Sequence, residues 1–254
     1  MRKELRQGRA QRQPAPSKGA ALDRLTTIGF DADDTLWHNE RFFRLTQRRF
    51  AELLADFTDA ALLHDRLLAA ERRNLGRYGF GVKGFVLSMI ETAIEVTDGH
   101  VPAPAIAELI RAGQDMLSFP VELLPNVERV VGELAGRYRL VLVTKGDLLD
   151  QERKLAQSGL GDLFDAVEIV SDKTPATYAR VFARHGDGVE HALMVGNSLG
   201  SDILPMIAAG GWGAHVPHAL TWALDDVAEP LDRARFFALS DIGEVPALAT
   251  RLSD

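Results

Sequence analysis

One segment constrains this chain more than any other: Thr26-Thr27-Ile28-Gly29-Phe30-Asp31-Ala32-Asp33-Asp34-Thr35-Leu36-Trp37. Its first half reads as a β-strand, with apolar Leu25, Ile28 and Phe30 among the β-formers Thr26 and Thr27. The run then stops abruptly at two carboxylates, Asp31 and Asp33. Like charges at such spacing repel unless a proton or a cation separates them. A hard divalent ion resolves the conflict, because Mg²⁺ takes oxygen ligands and commonly borrows only one or two carboxylates. One aspartate can then attack as a nucleophile while the other transfers a proton.

The remaining pattern falls into two blocks. From Asn39 to about Ser118 apolar residues recur at three- and four-residue steps, as in Phe42, Phe43, Leu45, Phe50, Leu53, Leu54 and Phe57. Further helices are expected through Leu62–Leu68, Phe85–Val96 and Ala105–Leu117, with a glycine-rich interruption at Gly76–Gly84. After Pro120 strands and helices alternate. Strands are expected at 139–144, 166–170, 192–195, 212–216 and 235–239. Helices are expected at 147–158, 175–185, 203–209 and within 241–252. Continuous apolar strands alternating with helices predict an α/β fold, a Rossmann-like parallel sheet covered on both faces. The expected organisation is a tail at 1–20, a core formed by 21–38 and 119–254, and an all-α insertion at 39–118. Ligands of such sheets sit beyond the carboxyl ends of the strands.

Three later strand ends carry polar groups. Thr144 closes Val141-Leu142-Val143, and its hydroxyl is placed to hold an anionic oxygen. Lys173 precedes a helix that opens with Pro175, and its ammonium can offset negative charge. Lys145 is the rival cation, with a substrate-side or solvent-facing role expected. Asn197 and Asp202 lie in the loop Gly196-Asn197-Ser198-Leu199-Gly200-Ser201-Asp202 after the fourth strand.

In this order the four strand ends resemble motifs I to IV of the haloacid dehalogenase-like (HAD) hydrolase superfamily, over about Thr26 to Leu239. The helical insertion occupies the place of that family's C1-type cap. The resemblance implies Asp31 as nucleophile, Asp33 as acid and base, and Thr144 and Lys173 as phosphoryl-binding groups. It implies Mg²⁺ held by Asp31, the Asp33 carbonyl and Asp202, with Asn197 directly or through water. Asn197 departs from the usual aspartate and removes one negative charge, so weaker metal affinity is expected. The family's true dehalogenases lack an acid at the Asp33 position, so hydrolysis of a phosphate ester on a small metabolite, a nucleotide or sugar phosphate, is expected here. A phosphomutase of the same fold, or a binding protein with a decayed site, are the alternatives. Tyr78 and Lys83, in the glycine-rich segment, are the expected substrate contacts, with Arg77 behind them. Trp37, Trp212 and Trp222 are expected to pack rather than to bind, and His215 and His218 to be ordinary loop residues.

Composition removes other classes. The chain of 254 residues has no cysteine, which excludes disulfides, thiolate catalysis and cysteine-bound zinc. No apolar run approaches the ~18 residues that span a bilayer, and no signal-peptide pattern follows the basic start. A reducing, cytoplasmic setting is therefore expected. Arg2, Lys3, Arg6, Arg9, Arg12 and Lys18 make the start basic, and it is expected to be disordered. The net charge of −7 argues against a nucleic-acid partner. The expected partner is a small phosphorylated substrate, with the chain monomeric or homodimeric.

Overall fold

The computed structural model describes residues 24–220, 222, 227–229 and 234–254. The expected disordered tail lies outside the described residues. Six strands, β1 (Thr27–Phe30), β2 (Arg139–Lys145), β3 (Ala166–Val170), β4 (Ala192–Gly196), β5 (Trp212–His215) and β6 (Phe236–Ala238), form one sheet. All neighbours are parallel, in the order β3-β2-β1-β4-β5-β6. β1 lies between β2 and β4 with helices over both faces, which is why every one of its residues is buried.

One face of the sheet packs Ile28, Phe30, Leu140, Leu142, Leu193 and Val195 against α5 (Val127–Leu134) and α9 (Val245–Ser253). The other packs Val141, Val143 and Met194 against Tyr178, Val181 and Phe182 of α7 (Pro175–His185). α5 is absent from the expected elements. Its stripe Val127, Val130, Val131, Leu134 is wholly buried, but eight residues offer only two helical turns of periodicity.

Four helices, α1 (Glu40–Leu53), α2 (Ala60–Tyr78), α3 (Val82–Val96) and α4 (Ala103–Met116), follow β1 directly. They enclose a separate hydrophobic cluster built on Phe50, Leu54, Leu67, Phe85, Met89 and Leu109. The glycine-rich segment is shorter as a loop than its composition suggests. Gly76 lies inside α2 and Gly84 inside α3, so only residues 79–81 connect them. Gly79 and Gly81 both have left-handed backbones, φ 73° and 113°, which glycine adopts without a Cβ penalty. The two chain crossings to the insertion run side by side, joined by Leu124 N–H to the Leu36 carbonyl (2.9 Å) and His38 N–H to the Glu122 carbonyl (3.1 Å).

Candidate active site

Strand order reverses direction at β1 and β4, and the crevice of an open parallel sheet lies at that switch point, beyond the carboxyl ends. Asp31 leaves β1 at this crevice and donates its N–H to the Val195 carbonyl of β4 at 2.9 Å. Thr144 is buried where β2 ends, and its Oγ donates to the Lys145 carbonyl at 3.3 Å. Asn197 follows β4. The expected residues Asp31, Asp33, Thr144, Lys173, Asn197 and Asp202 all line one cavity of about 160 Å³.

Lys173 is almost wholly buried and bridges two acids. Its Nζ pairs with Asp31 Oδ1 and lies 2.6 Å from Asp202 Oδ1. Burial, then the Asp202 carboxylate, push Asp31 up to about 6 against the pull of Lys173. Burial works against the Lys173 charge too, but Asp202 and Asp31 outweigh it and hold the ammonium above its ordinary range. Asp202 Oδ2 accepts from Ser198 N–H at 3.0 Å. A π-type turn at Leu199–Ile203, capped by Ser198, brings Asp202 back to Lys173.

Asp33 has its own set of donors. Trp37 Nε1 donates to Oδ1 at 2.7 Å, Gln151 Nε2 to Oδ2 at 2.8 Å, and Lys154 Nζ to both oxygens at 3.0 and 3.2 Å. Lys154 also donates to Asn39 Oδ1 at 2.9 Å and lies 3.4 Å from Asp150 Oδ2. Burial opposes its charge, yet Asp33 and Asp150 raise it above the ordinary lysine value. Sequence reasoning missed Lys154, Gln151 and Asp150. All three sit on one face of α6 (Leu148–Ser158) at helical spacing, and only the fold shows that this polar face is buried. Trp37 is buried as expected, but its indole N–H makes it a support for Asp33 as well.

The oxygens needed by a cation converge beside Asp31. The side-chain amide of Asn197 lies 3.3 Å from Asp31 Oδ2, 3.3 Å from the Asp33 carbonyl and 3.1 Å from Thr35 Oγ1. With its nitrogen on that side the amide donates to these acceptors. With its oxygen there it meets acceptors that a cation between them would reconcile. Thr35 orients the set by donating to Asp31 Oδ2 at 2.9 Å. A carboxylate, a peptide carbonyl and an amide oxygen are a hard donor set, suited to Mg²⁺. The geometry puts Asn197 in this cluster, whereas both Asp202 oxygens are engaged by Lys173 and Ser198.

Asp34 has a left-handed backbone, φ 62°, which directs its carboxylate to the start of α1. It accepts from Asn39 N–H at 2.9 Å and Glu40 N–H at 2.8 Å. Burial pushes it up to about 6. His218 is more than an ordinary loop residue. Its Nδ1 lies 3.6 Å from Asp34 Oδ1, and potential ligand atoms of Asp34, His38 and His218 fall within 4.8 Å of one another. His215 instead contacts the Asn197 carbonyl, with Nε2 at 3.0 Å.

The expected substrate contacts need correction. Tyr78 is 40 % exposed and donates its hydroxyl to Glu91 at 2.8 Å. Lys83 is exposed and pairs with Asp147 at 3.3 Å. Neither lines the cavity, because α2 continues through Tyr78 and α3 begins at Val82, so helix geometry turns both side chains outward. The cavity wall from the insertion includes Glu40, Glu71, Asn74, Phe80 and Phe85, joined by Trp222, which was expected to pack and also faces the cavity. Lys145 lines the cavity as well, with Nζ 2.7 Å from Ser201 Oγ and 3.9 Å from the Phe80 ring centroid.

Fold and site together define a parallel-sheet α/β protein in which acids and a lysine converge beyond the strand ends. The family model for haloacid dehalogenase-like hydrolases matches residues 25–210, and the chain belongs to that family. It is similar to a haloacid dehalogenase-like family hydrolase from Xanthomonas campestris, at 41 % identity and TM-score 0.81 over 94 % of this chain and 95 % of that one. It shares its fold with the HAD-hydrolase YfnB from Bacillus subtilis, described as bound to magnesium, at 17 % identity and TM-score 0.62 over 89 % and 99 %. It also shares it with L-2-haloacid dehalogenase from Xanthobacter autotrophicus, at 20 % identity and TM-score 0.64 over 89 % and 98 %. No curated protein matches the chain. Among the described residues no helix is long and apolar enough to cross a membrane.

Proposed function

We propose that this chain is a divalent-cation-dependent phosphomonoester hydrolase acting on a small phosphorylated metabolite. The observation that carries this reading is Asp33, a second carboxylate gripped by Trp37, Gln151 and Lys154 beside the Asp31 crevice. An alkoxide leaving from phosphorus needs a proton, and a positioned acid supplies it. A halide leaving from carbon needs none. Family neighbours include both kinds of enzyme by description, so the site chemistry decides the proposal.

In this mechanism an Asp31 oxygen attacks phosphorus as the ester P–O bond breaks. Asp33 gives its proton to the departing oxygen. Asp33 then takes a proton from water, which attacks the aspartyl-phosphate and frees Asp31 and inorganic phosphate. Thr144 and Lys173 hold phosphoryl oxygens, and Lys173 balances charge through each exchange. Asp31, the Asp33 carbonyl and Asn197 would hold Mg²⁺, with Asp202 behind Lys173. The ion's contribution is to neutralise negative charge shared by the nucleophile and the phosphoryl group. The four-helix insertion closes the cavity as a cap and excludes water from the reacting atoms.

The test is phosphate release from p-nitrophenyl phosphate with Mg²⁺, with EDTA, and in Asp31→Asn. Metal-dependent release that disappears in the variant is the expected result. Turnover of 2-chloropropionate alone, unaffected by EDTA, would overturn the proposal in favour of dehalogenation.

A further inference from the structure

The lysines that line the cavity are gathered at one end of it. Lys145 at the end of β2, Lys173 after β3 and Lys154 on α6 supply the cations where an anionic phosphoryl group would lie, Lys154 and Lys173 being paired there with Asp33, Asp150, Asp31 and Asp202. The cap wall instead presents Glu40 and Glu71, each only 8 % exposed. Glu40 has Arg44 at 3.3 Å on its more exposed side. Glu71 accepts from the Trp222 indole, and among the described residues it makes no ion pair. Burial and then the Glu40 charge raise the cost of ionising Glu71, and burial and then Asp34 that of Glu40.

An independent observation points the same way. Gln151 lines the cavity, is 4 % exposed, and donates its Nε2 to Asp33 and to the Lys145 carbonyl. Its Oε1 is left buried with no partner. A buried acceptor without a donor is costly unless a ligand supplies one. Asn74 likewise uses Nδ2 on Ser88 and Glu91, which leaves its carbonyl oxygen as the group to offer a ligand. Phe80 and Trp222, edge to face at 6.0 Å, complete an aromatic wall of the same cavity. Beyond the phosphoryl end the cavity thus offers acceptors, anions and ring faces, which suit a cation rich in N–H donors.

We propose, resting on the phosphomonoesterase reading above, that the substrate is a zwitterionic phosphate ester whose protonated amine is received by Glu71 and Glu40. Amino-alcohol and amino-sugar phosphates have this chemistry. The phosphate meets the lysines, and the ammonium supplies the positive partner that Glu71 does not have among the described residues. Gln151 Oε1 takes a hydroxyl or ammonium proton between the two ends.

Calorimetry on the Asp31→Asn protein with Mg²⁺ tests this without turnover. Two matched pairs serve as ligands: phosphoethanolamine against 2-hydroxyethyl phosphate, and glucosamine 6-phosphate against glucose 6-phosphate. The expected result is that the amine of at least one pair binds ten-fold or more tightly than its neutral partner. That ratio should collapse towards one when Glu71→Gln is added. If the Glu71→Gln protein does not fold, Glu40→Gln carries the same comparison. Equal affinity within both pairs, no binding by any of the four, or a ratio that survives both substitutions overturns the proposal. The outcome is separable from that of the hydrolase test. Amine selectivity without p-nitrophenyl phosphate turnover removes the reaction but keeps the pocket. Turnover without selectivity does the reverse.

Discussion

At the scale of single residues, the two aspartates of the opening motif are prepared differently. Asp31 sits against Lys173 and Asp202, and Asp33 against Lys154, Gln151 and Trp37. Lys154→Met removes the cation from Asp33 but leaves Asp31 and Lys173 untouched. General acid–base transfer contributes typically ~10²–10⁴-fold, so kcat should fall by about 10²-fold while KM changes little. Steady-state kinetics check it, and an unchanged kcat would show that Asp33 is held well enough by its two neutral donors. Asn197→Asp adds the missing charge to the oxygen cluster. Its Mg²⁺ dependence should shift to about ten-fold lower concentration, since ligand charge tunes such sites. The same variant should melt lower in EDTA, where two carboxylates then face each other. The acids and Lys173 that line the cavity could be picked from the sequence because each lies in a segment that follows a strand end, where open α/β sheets put their chemistry. Lys154 and Gln151 were not, because a polar residue on a helix reads as solvated until the end of β1 is known to cover that face.

At the scale of elements, the helical insertion meets the core around the 79–81 turn as well as at its two chain crossings, with Lys145 and Trp222 against Phe80 and Asp147 against Lys83. Asp147, the residue before α6, accepts from Lys83 N–H at 3.1 Å and pairs with Lys83 Nζ at 3.3 Å. Gly81 makes the approach possible, since a Cβ there would lie 2.7 Å from Asp147 Oδ2 and its φ is 113°. Asp147→Ala should loosen the α2–α3 end of the cap, raising KM several-fold and opening the 79–81 connection to limited proteolysis. The exposed ion pair itself contributes only about 0–1 kcal/mol, so global melting should hardly move. A variant with wild-type KM and protease resistance would mean that the crossings and the Phe80 contacts hold the insertion without Asp147. The alternation after Pro120 and the four helices before it were legible from periodicity. The Asp147–Lys83 contact was not, because it depends on where the 79–81 turn lands on the core. The substrate contacts expected at Tyr78 and Lys83 failed for the same reason: composition marked the region as a loop, but helix geometry decides which side chains face inward.

At the scale of the whole molecule, buried carboxylates link stability to pH. Burial pushes both Glu40 and Glu71 up to about 7 from 4.5. A carboxyl group whose pKa is raised in the folded state contributes stability that is fully present below the unfolded pKa. That contribution is lost as pH rises through the folded value. The window for these two groups is therefore pH 4.5 to about 7. Each group's part is at most about 3 kcal/mol, and because the Glu40 charge contributes to the Glu71 shift the two do not add. Glu71→Gln removes one titration without removing the shape. In ligand-free protein it should therefore gain melting temperature relative to wild type at pH 8, and the gain should vanish near pH 4.5. An amine-bearing ligand should reduce the gain at pH 8, because the ammonium does for wild type what the substitution does for the variant. Melting curves at the two pH values, with and without glucosamine 6-phosphate, check both statements. A variant less stable than wild type at pH 8 would show that the Trp222 hydrogen bond already supports an ionised Glu71. The acidic wall would then be a finished piece of structure, not a receptor for a cation.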